Sequence, residues 1–280
     1  MKWKVRNIQQ SLSPMTYEQE AVAALKTTRW AGKDLKVYDI TDSTNVRAAA
    51  EAESGAPHGT LVVADMQTAG KGRRGREWQS PAGSNLYFSL VLKPEFAADR
   101  ASMLTIVMAH SVNRAIRQET GLDCGIKWPN DIVAGGRKVC GILTEMKAEK
   151  GCICHVVIGV GINVGKQEFA SELSQTASSL ENICGFAISR SSLLARILTA
   201  FEEDYEAFTG CGSLKNLMDS YNRMLVNRNA QVRVLDPQGE YEGTALGITE
   251  TGELLVEKRE GEIVEVYAGE VSVRGIYGYV

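Results

Sequence analysis

The sequence has 280 residues, 44% of them hydrophobic and 23% charged, a net charge of −3 and six cysteines. That length supports one large domain with a substantial core plus a smaller one, and the mildly acidic balance argues against general polyanion binding. There is no run of about 18 apolar residues, and no apolar stretch follows the basic Met1–Arg6. Neither a membrane-spanning helix nor a secretory signal is therefore expected, and the protein reads as cytoplasmic.

The first helix is expected to open at Ser13-Pro14-Met15-Thr16, with Thr16 and Gln19 at capping-box spacing and Ala21, Val22 and Leu25 on its buried face through about Thr28. Only 34 residues precede the first strand. That is too few for a winged helix-turn-helix, so DNA binding is not expected. Leu35–Ile40 alternates as a half-buried strand, and Asp42-Ser43-Thr44-Asn45 opens an alanine-rich helix over Val46–Ala52. Those hydroxyls and amides serve either as plain caps or as ligand hydrogen-bonding groups. Thr60–Ala64 and Asn85–Leu92 read as buried strands. Ser102–Thr120 is a long helix, and Cys124–Trp128 a short strand stopped by Pro129.

Ile132–Ala134 and Val139–Leu143 bracket the turn Gly135-Gly136-Arg137-Lys138, a hairpin signal. Cys154–Ile162 is a strand ending in Gly159-Val160-Gly161-Ile162-Asn163, whose glycines predict close backbone approach to another group. Ser191–Phe208 is an amphipathic helix. From about Val226, short strands at 231–235, 241–246, 254–256 and 262–267 alternate with tight turns, the pattern of a small antiparallel barrel. Cys152-Ile153-Cys154-His155 holds potential metal ligands, but on a strand the cysteines share a face that His155 does not. The cysteines therefore read as ordinary reduced thiols.

The stretch Gln67-Thr68-Ala69-Gly70-Lys71-Gly72-Arg73-Arg74-Gly75-Arg76-Glu77-Trp78 stands apart. Four cations and three glycines fall between Gly70 and Arg76, with no apolar side chain among them. Such a segment has little to bury and is expected to be mobile without an anion. Glycines allow a ligand close to backbone N–H groups, and arginines match carboxylate or phosphate. The segment reads as a loop that closes over an anionic small molecule, or else as a solvated basic turn or nucleic-acid patch. Lys138 opens an apolar strand, where a charge is costly unless an anion compensates it.

The helix start at Asp42–Asn45, the loop Gly70–Trp78, Lys127-Trp128-Pro129-Asn130-Asp131, Lys138–Leu143 and Gly159–Asn163, in this order along the chain, resemble biotin protein ligases over residues 13–280. The resemblance implies an α+β fold: a mixed sheet with flanking helices, similar to class II aminoacyl-tRNA synthetases and lipoate ligases, followed by a C-terminal SH3-like β-barrel. It divides the chain into an N-terminal helical segment (1–33), a catalytic biotin/ATP domain (34–225) and the barrel (226–280).

It further implies that biotin and ATP are substrates, that Mg2+ screens the pyrophosphate, and that biotin is passed to the biotin carboxyl carrier domain of acetyl-CoA carboxylase or a related enzyme. By this likeness Arg73 and Lys138 hold the reacting carboxylate and α-phosphate. Ser43, Thr44, Asn45 and Gln67 bind the ureido head, with the loop backbone at Gly70, Lys71 and Gly72, while Gly141 lets the ligand pack close. Arg76, Trp78, Asn130, Asp131 and Asn163 belong to the nucleotide side, Asn163 also to the metal. Arg73→Ala and Lys138→Ala are both expected to abolish adenylate formation with little change in melting temperature.

The sequence departs from the family pattern at Lys71, where arginine is commoner. Members are monomers or dimers, so a homodimer stays open. The alternatives are a lipoate-type acyl ligase of the same fold and a non-catalytic biotin-responsive binding protein.

Overall fold

The computed structural model describes residues 17–236, 239–268 and 272–275. The expected helix start at Ser13–Thr16 lies outside them. Helix α1 (Tyr17–Ala24) continues into a 3-10 turn at Leu25–Thr27, with Ala21 and Leu25 buried.

Seven strands form the main sheet, in the order β1-β2-β3-β7-β6-β5-β4. They are β1 (Leu35–Thr41), β2 (Leu61–Gln67), β3 (Leu86–Leu92), β4 (Cys124–Lys127), β5 (Asp131–Ala134), β6 (Arg137–Glu149) and β7 (Cys152–Ile162). Only β1 and β2 run parallel, because helix α2 (Thr44–Glu53) crosses between them; the other neighbours are antiparallel. The sheet is therefore mixed, as expected. Gly135 and Gly136, at φ of +55° and +72°, make the tight β5–β6 turn that the glycine pair predicted.

The two-residue period of the strands sorts the side chains by face. Val62, Val91 and Val157 pack under Ala48 and Ala52 of α2. Leu61, Val63, Leu90 and Ile158 face the opposite way, into a core with α3 (Met103–Thr120) and α5 (Arg190–Cys211). Two further helices, α4 (Leu180–Cys184) and α6 (Lys215–Met224), were not expected from the sequence.

The C-terminal unit is a five-stranded antiparallel sheet in the order β11-β10-β9-β8-β12. Its strands are β8 (Gln231–Leu235), β9 (Tyr241–Ile248), β10 (Leu254–Lys258), β11 (Ile263–Val266) and β12 (Ser272–Gly275), the last of which sequence reasoning missed. It sits against the main sheet: Trp128 Nε1 donates to Gly252 O at 3.0 Å, and Gly125 leaves room for Val226.

Glu202 of α5, only 1% exposed, ties the N-terminal turn to this frame. Its carboxylate accepts the backbone N–H groups of Arg29, Trp30 and Ala31 at 2.6–2.9 Å. Glu202→Ala leaves those donors without their acceptor. A loss of about 3 kcal/mol is expected in chemical denaturation, since each buried unsatisfied donor costs roughly 1–3 kcal/mol. A denaturation midpoint equal to the wild type would contradict the assignment.

Candidate functional site

The site lies on the α2 face of the sheet. In register across β6, β7 and β3, Gly141 pairs with Gly161, Leu143 with Gly159, and Gly159 with Ser89. The same alternation that buries Val157 and Val91 under α2 exposes Gly159, Gly161 and Gly141 on this face, so bare backbone forms the floor. What fills the missing side-chain space is specific. A Cβ at Gly161 would stand 2.5 Å from Trp78 Nε1, and one at Gly141 would stand 3.0 Å from Trp78 Cζ3. A Cβ at Gly159 would collide with Asn45 Oδ1. The close approach expected of these glycines is therefore to Trp78, Asn45 and Lys138.

A cavity of about 50 Å3 remains above this floor. Ser43, Thr44, Asn45 and Gln67 line it from the α2 start and the β2 end, and Lys71, Gly72, Arg73 and Trp78 from the basic loop. Asn130, Lys138 and Gly141 complete it. Gly70, Arg76, Asp131 and Asn163 are not among its lining residues. The loop is folded inward: bridges Lys71–Glu77 and Gln67–Ser80 close it into a hairpin, and Gly72 N donates to Arg76 O at 2.7 Å. Arg74, at φ of +59°, turns it at the tip. The expectation of a free loop is thus modified, because Trp78 gives it an apolar anchor.

A directed chain of hydrogen bonds runs along the wall. Asn45 Nδ2 donates to the Glu145 carboxylate at 2.7 Å, and Ser89 Oγ, fully buried, donates to Asn45 Oδ1 at 2.6 Å and lies 2.8 Å from Thr44 Oγ1. Thr44 N donates to Gln67 Oε1 at 2.8 Å, Gln67 Nε2 to Ser80 Oγ at 2.9 Å, and Ser80 Oγ to Trp78 O at 2.9 Å. An ionised carboxylate and a carbonyl accept only, and an amide N–H donates only, so the ends and middle of the chain fix every amide orientation within it. Ser43 stands at the N-cap of α2, but its hydroxyl makes no capping bond. The plain-cap reading of this motif therefore fails at Ser43.

Cations crowd the other side. Lys138 Nζ is 2.7 Å from Asp131 Oδ1 and 5.3 Å from the Trp78 ring centroid. Asp131 is the compensating anion that the apolar setting of Lys138 required. Arg73 donates to Asn130 Oδ1 at 3.0 Å and to Ala268 O at 3.1 Å, so the C-terminal sheet backs the loop. Burial lowers the pKa of Arg73, opposed by the charge of Asp131. Burial also lowers Lys127 to about 8; Asp131 raises it, and Lys138, Arg274 and Arg76 lower it further. Such a cluster is suited to a polyanionic ligand. Asn163 is buried, and its Nδ2 donates to Ser178 O at 3.1 Å.

Residues 37–163 match the Biotin/lipoate A/B protein ligase family, and residues 229–274 match the Biotin protein ligase C terminal domain. The chain is 39% identical to the bifunctional ligase/repressor BirA of Bacillus subtilis, covering 91% of this chain and 78% of that protein. It is 30% identical to the biotin–[acetyl-CoA-carboxylase] ligase of Mycobacterium tuberculosis, over 85% of this chain and 88% of that one. The fold superposes on the biotin protein ligase of Aquifex aeolicus in complex with biotin and ATP with a TM-score of 0.77, at 33% identity and 99% coverage of that chain.

The chain belongs to the biotin protein ligases.

In this ligase, sequence reasoning did not single out Ser80, Ser89 or Glu145, and it gave Lys127 no role. Ser89 is a lone serine inside an apolar strand, on the same face as Val91. That polar break in a buried run was the available signal. As for metals, the described residues contain no group of three or more His, Cys, Asp or Glu able to hold one. Cys152 and Cys154 are exposed while His155 is buried, so they do share a face without it.

Proposed function

We propose that the ligase joins biotin to ATP at this site, forming biotinyl-5'-AMP and pyrophosphate, and passes the biotin to a lysine of a biotin carboxyl carrier domain. The observation that carries this reading is the meeting of two kinds of wall in one cavity of a biotin ligase fold. Neutral hydrogen-bonding groups (Ser43, Thr44, Asn45, Gln67) face the cations Arg73 and Lys138. A ureido ring needs the first and an adenylating carboxylate the second.

In detail, Ser43, Thr44, Asn45 and Gln67 hold the ureido head, the backbone of Gly70, Lys71 and Gly72 closes over it, and Gly141 gives the ligand room. Arg73 and Lys138 offset the repulsion between the carboxylate and the α-phosphate. Arg76, Trp78 and Asn130 serve the nucleotide, and Asp131 holds Lys138 in place through their ion pair. Lys127 joins the nucleotide side as a further cation.

Trp78 lies against the glycine floor that the ligand would use, so binding is expected to move the loop outward before it closes again. Re-closure over the adenylate shields the anhydride from water. Magnesium, when bound, screens the pyrophosphate. Asn163 Oδ1 is the protein atom that would hold it, since Nδ2 of that side chain is committed to Ser178 O. The division at 33/34 and 225/226, a cytoplasmic location and a homodimer as one alternative complete the reading.

Two measurements bear on it. Biotin-dependent exchange of labelled pyrophosphate into ATP tests the first step, with lipoate as the parallel acid. Exchange with lipoate alone would favour the acyl-ligase alternative, and exchange with neither would favour a non-catalytic binder. The second concerns Lys127. Its lowered pKa means that the free protein binds fewer protons there than an ordinary lysine would between about pH 8 and 10. A polyphosphate beside it restores the charge, so ATP binding at pH 9 takes up protons, measured by calorimetry in buffers of different ionisation heat. Proton release, or no exchange, would remove Lys127 from the nucleotide side.

A further inference from the structure

The neutral wall of the site has a polarity, and a side chain outside the cavity sets it. On β6, Gly141, Leu143 and Glu145 follow one another on the α2 face, so the strand places a carboxylate just beyond the glycine floor, beside the first turn of α2. We propose that Glu145 is a specificity-determining residue: through Asn45 and Ser89 it makes the Thr44 hydroxyl an acceptor toward the cavity, so that the site selects a ring N–H over a ring oxygen. This reading rests on the biotin site proposed above.

The placing of protons carries it. Asn45 is 5% exposed, and its Nδ2 donates to Glu145 Oε2 at 2.7 Å and to Leu143 O at 3.3 Å. Both partners only accept, so Oδ1 is the end that meets Ser89 Oγ, 2.6 Å away, and Ser89 must donate there. A serine hydroxyl has a single proton, so toward Thr44 Oγ1, at 2.8 Å, Ser89 is an acceptor. The other neighbour of that hydroxyl is Gln67 Oε1, at 3.1 Å. The Gln67 amide is fixed in turn by its Nε2, which donates to Ser80 Oγ, and Ser80 donates to Trp78 O. Thr44 thus has one proton and two acceptors on the wall side. Whichever takes it, the proton stays in the wall and the cavity receives a lone pair. Thr44 lines the cavity, whereas Ser89 and Glu145 are not among its lining residues.

A ureido N–H bonds to such an oxygen. A ring oxygen in the same place sets lone pair against lone pair. Turning Asn45 over would supply a proton: Nδ2 would donate to Ser89, Ser89 to Thr44, and Thr44 to the ligand. The carboxylate of Glu145 opposes that turn, because it would then face Oδ1 of Asn45. Glu145 has a rival role as a partner of the α2 dipole, with an acid beside the first turn and Lys147, paired with Glu53 at 2.7 Å, beside the last. That role concerns the helix alone and predicts the same loss for every ligand.

The test titrates the full chain by calorimetry with biotin and with the two cyclic carbamates in which oxygen replaces one ring N–H or the other. The wild type is expected to bind biotin about a thousandfold more tightly than one of the carbamates, toward the discrimination of sites built to hydrogen-bond a substrate N–H. Glu145→Gln, at an exposed position, leaves an amide that can face either end of Asn45, while Leu143 O still resists the turn. The ratio is expected to fall about tenfold, the scale of one hydrogen bond. In Thr44→Val, which lacks the oxygen, adding Glu145→Gln is expected to leave the ratio where it stands. Equal affinity of the wild type for biotin and both carbamates would overturn the proposal. So would an unchanged ratio in Glu145→Gln, with or without a common loss of affinity, or a ratio that still falls in the Thr44→Val background. A wild-type chain that binds none of the three would instead overturn the biotin reading of the site itself.

Discussion

Arg73→Ala is expected to slow adenylate formation about a thousandfold, at the upper end of what removing one preorganised donor costs, because here the donor also carries the charge that offsets two approaching anions. Arg73 is the one arginine of the basic loop that lines the site cavity, and it is held there by Asn130 Oδ1 and Ala268 O. Hydrogen bonds from a charged donor are worth roughly 1.5–3 kcal/mol each, but removing the guanidinium also relieves the burial cost that lowers its pKa, so the melting temperature should change little. Single-turnover formation of biotinyl-5'-AMP, measured beside thermal unfolding, separates the two effects. Wild-type turnover in Arg73→Ala would end its assignment.

Lys138→Ala should match the kinetic loss but not the thermal silence expected from the sequence. Its Nζ lies 2.7 Å from an Asp131 carboxylate that is 14% exposed, and removing one partner of a largely buried pair destabilises the fold. Lys138→Ala is therefore expected to lower the melting temperature as well as the rate. Arg73→Ala is the cleaner probe of chemistry.

Gly159→Ala is expected to raise the KM for biotin about a hundredfold or more, the scale of about 3 kcal/mol of lost binding. The added methyl group would collide with Asn45 Oδ1, which has no free direction to retreat. The Asn45 amide is tied to Glu145 on one side and to Ser89 on the other. Displacing it breaks the chain through Thr44 and Gln67 to Ser80 and Trp78, so the ureido wall and the loop anchor fail together. The KM for ATP should move far less. Equal losses for both substrates would indicate general damage to the sheet, and an unchanged KM for biotin would show that the Asn45 wall does not read the ligand.

The main sheet was legible because its strands are apolar runs punctuated by glycine, proline and asparagine. The Gly-x-Gly end of β7 announced a bare floor through its two-residue period. Helix α6 went unread although Leu217, Tyr221 and Met224 recur at helical spacing: its start at Leu214 carries no capping side chain to announce it. The outer half of β6, Glu145–Glu149, is exposed, and Met146 and Ala148 between its charges bury too little to mark it as strand. At the site, residue types and their order revealed which groups belong together. They did not reveal that Trp78 covers the glycine floor, that Asp131 rather than a ligand neutralises Lys138, or that Ser89 and Glu145 orient Asn45. Apart from the Asp131–Lys138 pair across the β5–β6 turn, these are contacts between segments 44 to 100 residues apart, and the register of the sheet determines them.

The most direct measurement is transfer of labelled biotin to a purified biotin carboxyl carrier domain by the full chain, with and without ATP and magnesium, and with labelled lipoate in parallel. The account predicts labelling by biotin alone, dependent on ATP. Labelling by lipoate in its place, or biotin binding without any transfer, would contradict it.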